Sequence, residues 1–325
     1  MTPFPQVVVV GSIMQDMIFA CDDFPTRGQT IMARLSVGQG GKGSNQAIAC
    51  GRAGARTFFV GAMGKDSFKD RVQRFYRSER IGCRLVEKPG RSTGTAVILI
   101  NKDGQNEIVI EPGANAFVAP TDVPDSLFAE AKVVVVQFES NLTTTAHVLR
   151  TARKRKILAI LNPAPMREDF RPALLKHVDV LIPNESEFVA LVRVLPQLGL
   201  VDFNEEKLHA LDWTELHHLC RRIGVPTVII TLGSKGCFVS QSDSSLFIPA
   251  YEGIQAVDTT GAGDAFCGGF AAGLIRFPGD IPAAARFANA VAALSITKRG
   301  AADAMPKRRE LERFLKQRSY PAKRA

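Results

Sequence analysis

The stretch Val257-Asp258-Thr259-Thr260-Gly261-Ala262-Gly263-Asp264 runs straight into Ala265-Phe266-Cys267-Gly268-Gly269-Phe270-Ala271-Ala272-Gly273-Leu274. A polar turn with two glycines therefore meets an apolar helical run. Glycine lets backbone N–H groups converge on an anion without a Cβ in the way, and a helix start adds partial positive charge. That combination describes a phosphate cradle. Asp264 lies inside it, and a carboxylate beside a phosphate is repulsive unless it has work to do, such as taking a proton from an attacking hydroxyl. The pairing points to phosphoryl transfer to an alcohol. An ordinary N-cap aspartate after a glycine turn is the competing reading of this stretch alone.

A second glycine cluster stands far upstream, Gly38-Gln39-Gly40-Gly41-Lys42-Gly43-Ser44-Asn45-Gln46-Ala47, and leads into a helical pattern over 47–54. Gly38, Gly40 and Gly43 match G-x-G-x-x-G, but the first strand, Val7-Val8-Val9-Val10, ends in Gly11-Ser12 instead, so a dinucleotide-binding fingerprint is badly placed. A Walker A loop is excluded as well, because Gly43 follows Lys42 and no glycine lies five residues before Gly41. Lys42 and Asn45, one turn apart at a helix start, offer a cation and an amide to hydroxyls or a phosphate.

Short apolar runs recur between helical stretches, at 7–10, 57–60, 133–136, 157–161, 178–182 and 227–231. Runs without alternation suit parallel strands buried on both faces, which gives a doubly wound α/β fold with a mostly parallel sheet between helices. Two segments, about 14–40 and 92–112, have mixed sides; the second carries a hairpin around Lys102-Asp103-Gly104. The 325 residues, 46% of them hydrophobic, fit a single α/β domain over 1–325 with this small appendage. The six cysteines show no C-x-x-C spacing and read as reduced core thiols of a cytoplasmic protein. No signal segment or membrane-length apolar run is expected. A formal net charge of +9 raises the question of nucleic acid, but the basic residues cluster only at 150–156 and 307–324 without interleaved aromatics, so solvated helix faces are expected.

The two glycine clusters resemble the paired signatures of the ribokinase-like (PfkB-type) sugar kinase family. Further segments are similar to that family in order and spacing: Gly11-Ser12-Ile13, Thr93-Gly94-Thr95-Ala96, Gly113-Ala114-Asn115, Gln137-Phe138-Glu139-Ser140, Leu161-Asn162-Pro163-Ala164-Pro165, Pro183-Asn184-Glu185-Ser186-Glu187 and Thr231-Leu232-Gly233-Ser234-Lys235-Gly236. Within the family the pattern resembles ribokinases proper, which implies transfer of phosphate from ATP to the 5-hydroxyl of ribose. The resemblance implies Asp264 as general base, with the N–H groups of Gly261, Ala262, Gly263 and Asp264 as anion hole. It nominates Asp16, Gly41, Lys42, Asn45 and Glu139 for the sugar hydroxyls, with Ile110 as an apolar wall and Met14 beside them. Asn184, Thr231, Gly233, Ser234, Gly236 and Asn289 are implied for ATP, and Glu187 for Mg²⁺ through water. A K⁺ site is implied at the Asp258 side chain and the carbonyls of Thr260, Ser295, Lys298 and Gly300. The appendage is implied to be a lid over the sugar that also joins two copies into a homodimer, with Gly40-Gly41 as its hinge.

Three departures from the family pattern follow. Met14 stands where bacterial ribokinases commonly carry Asn, and a thioether barely hydrogen-bonds, so 2-deoxyribose remains beside ribose as acceptor. Ala304 stands where many relatives place a serine that helps hold K⁺. The segment 195–213 is an apparent insertion with no function read from it. A nucleoside kinase and a non-catalytic sugar- or nucleotide-binding protein are the other readings.

Overall fold

The computed structural model describes residues 4–79 and 81–318. Among these residues thirteen strands, β1 to β13, run in chain order Val7–Val10, Met14–Ala20, Arg34–Gly40, Thr57–Met63, Gly82–Glu87, Thr95–Ile100, Asn106–Glu111, Val133–Val136, Leu158–Leu161, Val180–Leu181, Thr227–Thr231, Gly236–Ser240 and Ser245–Pro249. The helices α1 to α9 are Lys42–Arg52, Lys69–Glu79, Leu142–Arg155, Glu185–Val194, Glu205–Ala210, Trp213–Arg222, Ala262–Arg276, Ile281–Ser295 and Arg308–Gln317.

Nine strands form one twisted sheet in the order β13-β12-β11-β10-β9-β8-β1-β4-β5. Every pairing from β11 to β5 is parallel, and only β12 and β13 run antiparallel at one edge. The all-valine strands β1 and β8 are buried throughout, because helices cover both faces of a parallel sheet. Two hydrophobic clusters make up these layers. One joins α1, α7 and α8 to one face; the other joins α3, α4 and α6 to the opposite face. The protein is a mixed α/β fold of the doubly wound type.

The mixed-sided segments form a separate four-stranded sheet, β3-β2-β6-β7, in which β2 pairs antiparallel with β3 and parallel with β6. The hairpin between β6 and β7 turns at Asn101, whose side-chain oxygen accepts the N–H groups of Asp103 and Gln105.

The 195–213 segment is packed rather than loose. Leu195, Leu198, Phe203 and Leu208 are buried in the second cluster, and α5 lies within the segment. The basic run at 150–156 ends α3, with Lys156 as a left-handed C-cap at φ 57° and Arg153 and Arg155 paired to Asp179 and Asp125. The C-terminal basic segment forms α9, which buries Leu311 and Phe314; its last part, 319–324, lies outside the described residues. One boundary differs from expectation. The helical pattern read over 47–54 belongs to a helix that begins at Lys42, so Gly43 and Ser44 lie in its first turn, against the Gly11-Ser12 loop.

Candidate active site

Gly261, whose φ of 75° is left-handed, caps helix α7, and Asp264 is buried at the third position of that helix. The adjoining helix α1 brings Asn45 and Gln46 against it. Asn45 Nδ2 donates to Asp264 Oδ2 at 2.9 Å and Gln46 Nε2 donates to Oδ1 at 2.9 Å. Close packing permits this: a Cβ at Gly268 would run into the Gln46 carbonyl and stand 2.7 Å from Ala49 Cβ. Of the N–H groups expected to form the anion hole, that of Ala262 differs from the next two in having a backbone acceptor. It already donates to the Thr259 carbonyl at 3.1 Å. Gly263 and Asp264 keep first-turn N–H groups, which a helix leaves without an intrahelical acceptor.

Around this helix start the structure gathers the residues expected for the sugar. Gly41 caps α1 at φ 89°, and any Cβ there would stand 2.7 Å from the Met14 backbone nitrogen. The Lys42 N–H and the Ser12 hydroxyl both donate to Glu139 Oε2. Asp16, on β2, is buried, and its carboxyl is pushed up to about 7, first by burial and then by the charges of Glu139 and Asp264. For the Lys42 ammonium, burial works to lower the pKa, but the neighbouring Asp264, Glu139 and Glu187 carboxylates outweigh it and hold the group above the usual lysine range. Asn45 Oδ1 is a buried acceptor with no hydrogen-bond partner among the described residues. Met14 is fully buried on β2 two positions from Asp16, hence on the same face of the strand. Ile110 stands apart, 45% exposed on β7 and paired with Ala96.

A cavity of about 160 Å³ opens over the α7 start, with Lys42, Asn162, Asn184, Glu187 and Asp264 in its walls. A second, of about 350 Å³, continues from it and is lined by Asn184, Thr231, Gly233, Gly236 and Asn289. Five of the six residues expected for ATP therefore share one hollow; Ser234 is exposed beside it in the turn Gly233–Lys235. Asn184 caps α4 in a reciprocal box with Glu187, so Glu187 has a structural task as well as a place in the wall. Burial raises the Glu187 carboxyl, opposed by the Asn184 N–H and by Lys42.

The residues expected for K⁺ form a separate group behind the α7 start. Asp258 Oδ1 accepts the Thr260 N–H and Oδ2 accepts the Gly300 N–H, each at 2.9 Å, which ties the two loops together. Ser295 ends α8, and its carbonyl accepts the Lys298 N–H at 3.4 Å; Lys298 Nζ pairs with Glu310 at 2.6 Å. Ala304 is buried nearby in sequence and adds no ligand.

Sequence reading missed Gln46, Asn162 and Glu205. Gln46 directly follows Asn45, and a polar residue there, in a helix bound for the core, was the available signal. Asn162 stands directly after the apolar strand β9, where a lone amide before Pro163 was the signal. Glu205, at the start of α5, lines the second cavity, so the 195–213 segment reaches that hollow.

Comparison with known proteins agrees with this geometry. The model of the pfkB family of carbohydrate kinases matches residues 5–308. A ribokinase of Haemophilus influenzae is 33% identical over 313 residues, covering 95% of this chain and 98% of that protein. A deoxyribokinase of Salmonella typhi is 31% identical over 313 residues, with the same coverage of 95% and 98%. The structure of an Arabidopsis thaliana ribokinase complexed with ribose and ATP superposes with a TM-score of 0.81 at 29% identity, covering 97% of this chain and 99% of that one. A matched model spanning nearly the whole chain, over a buried carboxylate at a glycine-flanked helix start, makes this chain a member of the pfkB family of carbohydrate kinases, an enzyme that transfers phosphate to a sugar hydroxyl.

Proposed function

We propose that the protein is an ATP-dependent ribose kinase that forms ribose 5-phosphate and ADP. The observation that carries this reading is the grouping of Asp264, at the α7 start, with buried Asp16 and Asn45 and half-buried Glu139. Buried acceptors without enough donors call for hydroxyl groups. The unpartnered Asn45 Oδ1 is the plainest of them. The relatives named above, a ribokinase and a ribokinase bound to ribose and ATP, support the same acceptor and donor.

In this reading Asp264 takes the proton of the sugar's 5-hydroxyl as its oxygen bonds to the γ-phosphorus of ATP and the bond to the ADP oxygen breaks. The first-turn N–H groups of Gly263 and Asp264, with Gly261 giving the backbone its turn, face the charge that develops on the transferred group. Lys42, held fully protonated by its carboxylate neighbours, adds positive charge on the same side. Asp16, Glu139, Asn45 and Gly41 orient the sugar, while Asn184, Thr231, Gly233, Gly236 and Asn289 line the hollow for ATP, with Ser234 at its rim.

Mg²⁺ fits the donor set, since Glu187 is a carboxylate whose hydrogen bonds from Asn184 and Asn162 both fall on Oε2 and leave Oε1 for a water ligand. When bound, it would neutralise charge on the phosphates. K⁺ fits a set of one carboxylate and loop carbonyls, in which each oxygen of Asp258 has accepted a single N–H; Asp258, Thr260, Ser295, Lys298 and Gly300 would hold it. We assign the four-stranded sheet the role of lid, hinged at Gly40-Gly41, and the contact face of a homodimer. Every residue of β7 is at least partly open on both faces, with Ile108, Val109 and Ile110 at 50, 72 and 45% exposure. A sedimentation mass of one chain would remove the dimer from this account. The six unpaired cysteines, five of them buried, accord with a cytoplasmic setting.

Met14 supports a second acceptor. An apolar side chain on the face of β2 that carries Asp16 leaves one fewer hydrogen bond for a sugar hydroxyl, worth about 0.5–1.5 kcal/mol, so 2-deoxyribose should compete with ribose within roughly tenfold. The test is Asp264→Asn. It should lower kcat with ribose by about 10²–10⁴ while the KM for ATP stays within about threefold. Turnover equal to the parent would remove Asp264 from the role of base.

A further inference from the structure

Two successive residues of α1 grip the two oxygens of Asp264, but only one of them has a place in the reading of the sugar site. Asn45 Nδ2 serves Oδ2 while its own Oδ1 stays open for a substrate hydroxyl. Gln46 Nε2 serves Oδ1, and its side chain is completely buried, so it meets substrate only through the carboxylate.

The polarity of the Gln46 amide is set by a chain of partners that starts at a backbone carbonyl. The Ile182 carbonyl can only accept, so the side chain of Asn162 turns its nitrogen to it, at 2.8 Å. Asn162 Oδ1 is then the atom facing Gln46, and Gln46 Nε2 donates to it at 3.0 Å while donating its other proton to Asp264. Gln46 Oε1 is left to accept from Gln137 Nε2 at 2.7 Å. Both protons and the carbonyl of Gln46 are thus spoken for, and the amide cannot flip without losing three hydrogen bonds and setting an oxygen against the carboxylate. Asn162 also donates to Glu187 Oε2 at 3.4 Å, which joins this chain to the nucleotide side of the cavity.

We propose that Gln46, locked by Gln137 and Asn162, is the positioning residue that fixes the carboxylate plane of Asp264 for proton abstraction. The proposal rests on Asp264 being the base. A base needs its lone pair held within hydrogen-bond reach of the hydroxyl, and misplacement by a fraction of the contact distance is costly. Asn45 shares its amide with the sugar, whereas Gln46 holds Asp264 whether or not substrate is present.

Steady-state kinetics of Gln46→Met, Asp264→Asn and the double variant, assayed with ribose and Mg-ATP, test this. Methionine keeps the volume and removes both donors. Gln46→Met should lower kcat by roughly 10- to 100-fold with the KM for ATP within about threefold, and should add less than about twofold in the Asp264→Asn background. A folded Gln46→Met enzyme with kcat within about twofold of the parent overturns the proposal, as does a loss that multiplies fully with that of Asp264→Asn. Asp264→Asn alone reports on the base: if it turns over like the parent, the underlying reading fails first and takes this one with it. Should Gln46→Met not fold, Gln137→Met serves, because it frees Gln46 Oε1 and loosens the amide. A kcat lowered by about three- to tenfold at unchanged KM for ATP supports the proposal, and an unchanged kcat overturns it.

Discussion

At the residue scale the site sets a buried carboxyl, that of Asp16, among other carboxylate charges. Asp16 shows the cost, with a carboxyl pushed up to about 7 by burial and by the neighbouring Glu139 and Asp264 charges. Because its folded-state value lies above the ordinary 3.8, the stability it contributes is fully present below about pH 3.8 and is lost as pH rises through about 7. Asp16→Asn should therefore raise the unfolding temperature, and by more at pH 8 than at pH 5.5, in paired calorimetric scans. The same titration bears on binding: a charged Asp16 is the better acceptor for sugar hydroxyls, so the parent's KM for ribose should rise as pH falls from 8 to 6, and the Asn variant should lack that slope. A gain that is equal at both pH values would show that Asp16 is not the strained group. Sequence revealed Asp16 and Glu139 only through resemblance, and Asn45 otherwise only as an amide one turn from Lys42 at a helix start. Nothing in their spacing says that residues 16, 45, 139 and 264 meet, since that depends on how strands and helices close over one another.

Elements place these residues by close approach of backbones. Helix α7 lies against α1 because position 268 has no side chain; a methyl there would collide with the Gln46 carbonyl, in the same residue whose amide holds Asp264. Gly268→Ala should push α1 from α7, lowering kcat by roughly tenfold or more and the unfolding temperature along with it, since overpacking a tight contact costs about 1–3 kcal/mol. Full activity with unchanged stability would mean that the two helices have slack the structure does not show. The glycine stretches were the most legible part of the chain, yet their reading was incomplete. In the upstream one the apolar helical pattern shows only from 47, whereas the helix starts at Lys42, because glycine lets that first turn pack on Gly11 and Ser12. Parallel strands were legible from runs such as Val7–Val10 and Val133–Val136, which no surface strand would carry. The antiparallel edge β12–β13 was not, since its strands lie beyond the Thr231 run in a stretch with glycine and serine that gives no clear period.

The whole molecule combines a nine-stranded α/β layer that holds Asp264, the glycine-flanked start of α7 and the proposed nucleotide hollow with a small sheet that carries Asp16 and Met14. Fold class and reaction type were legible because several motifs kept the order of one family across the chain. The choice of sugar was not, because it depends on hydrogen bonds at one end of β2, each worth only about 1 kcal/mol. The 195–213 segment was opaque for a different reason. Its apolar residues pack like any core, and only the folded chain shows that Glu205 reaches the nucleotide hollow. The measurement that bears most directly on the central claim is ADP release from Mg-ATP with ribose, 2-deoxyribose, fructose or adenosine as acceptor, in K⁺ and in Na⁺. The account predicts the highest kcat/KM with ribose, 2-deoxyribose within roughly tenfold of it, and faster turnover in K⁺. Absence of ADP release with ribose, or a kcat/KM for fructose or adenosine above that for ribose, would contradict it.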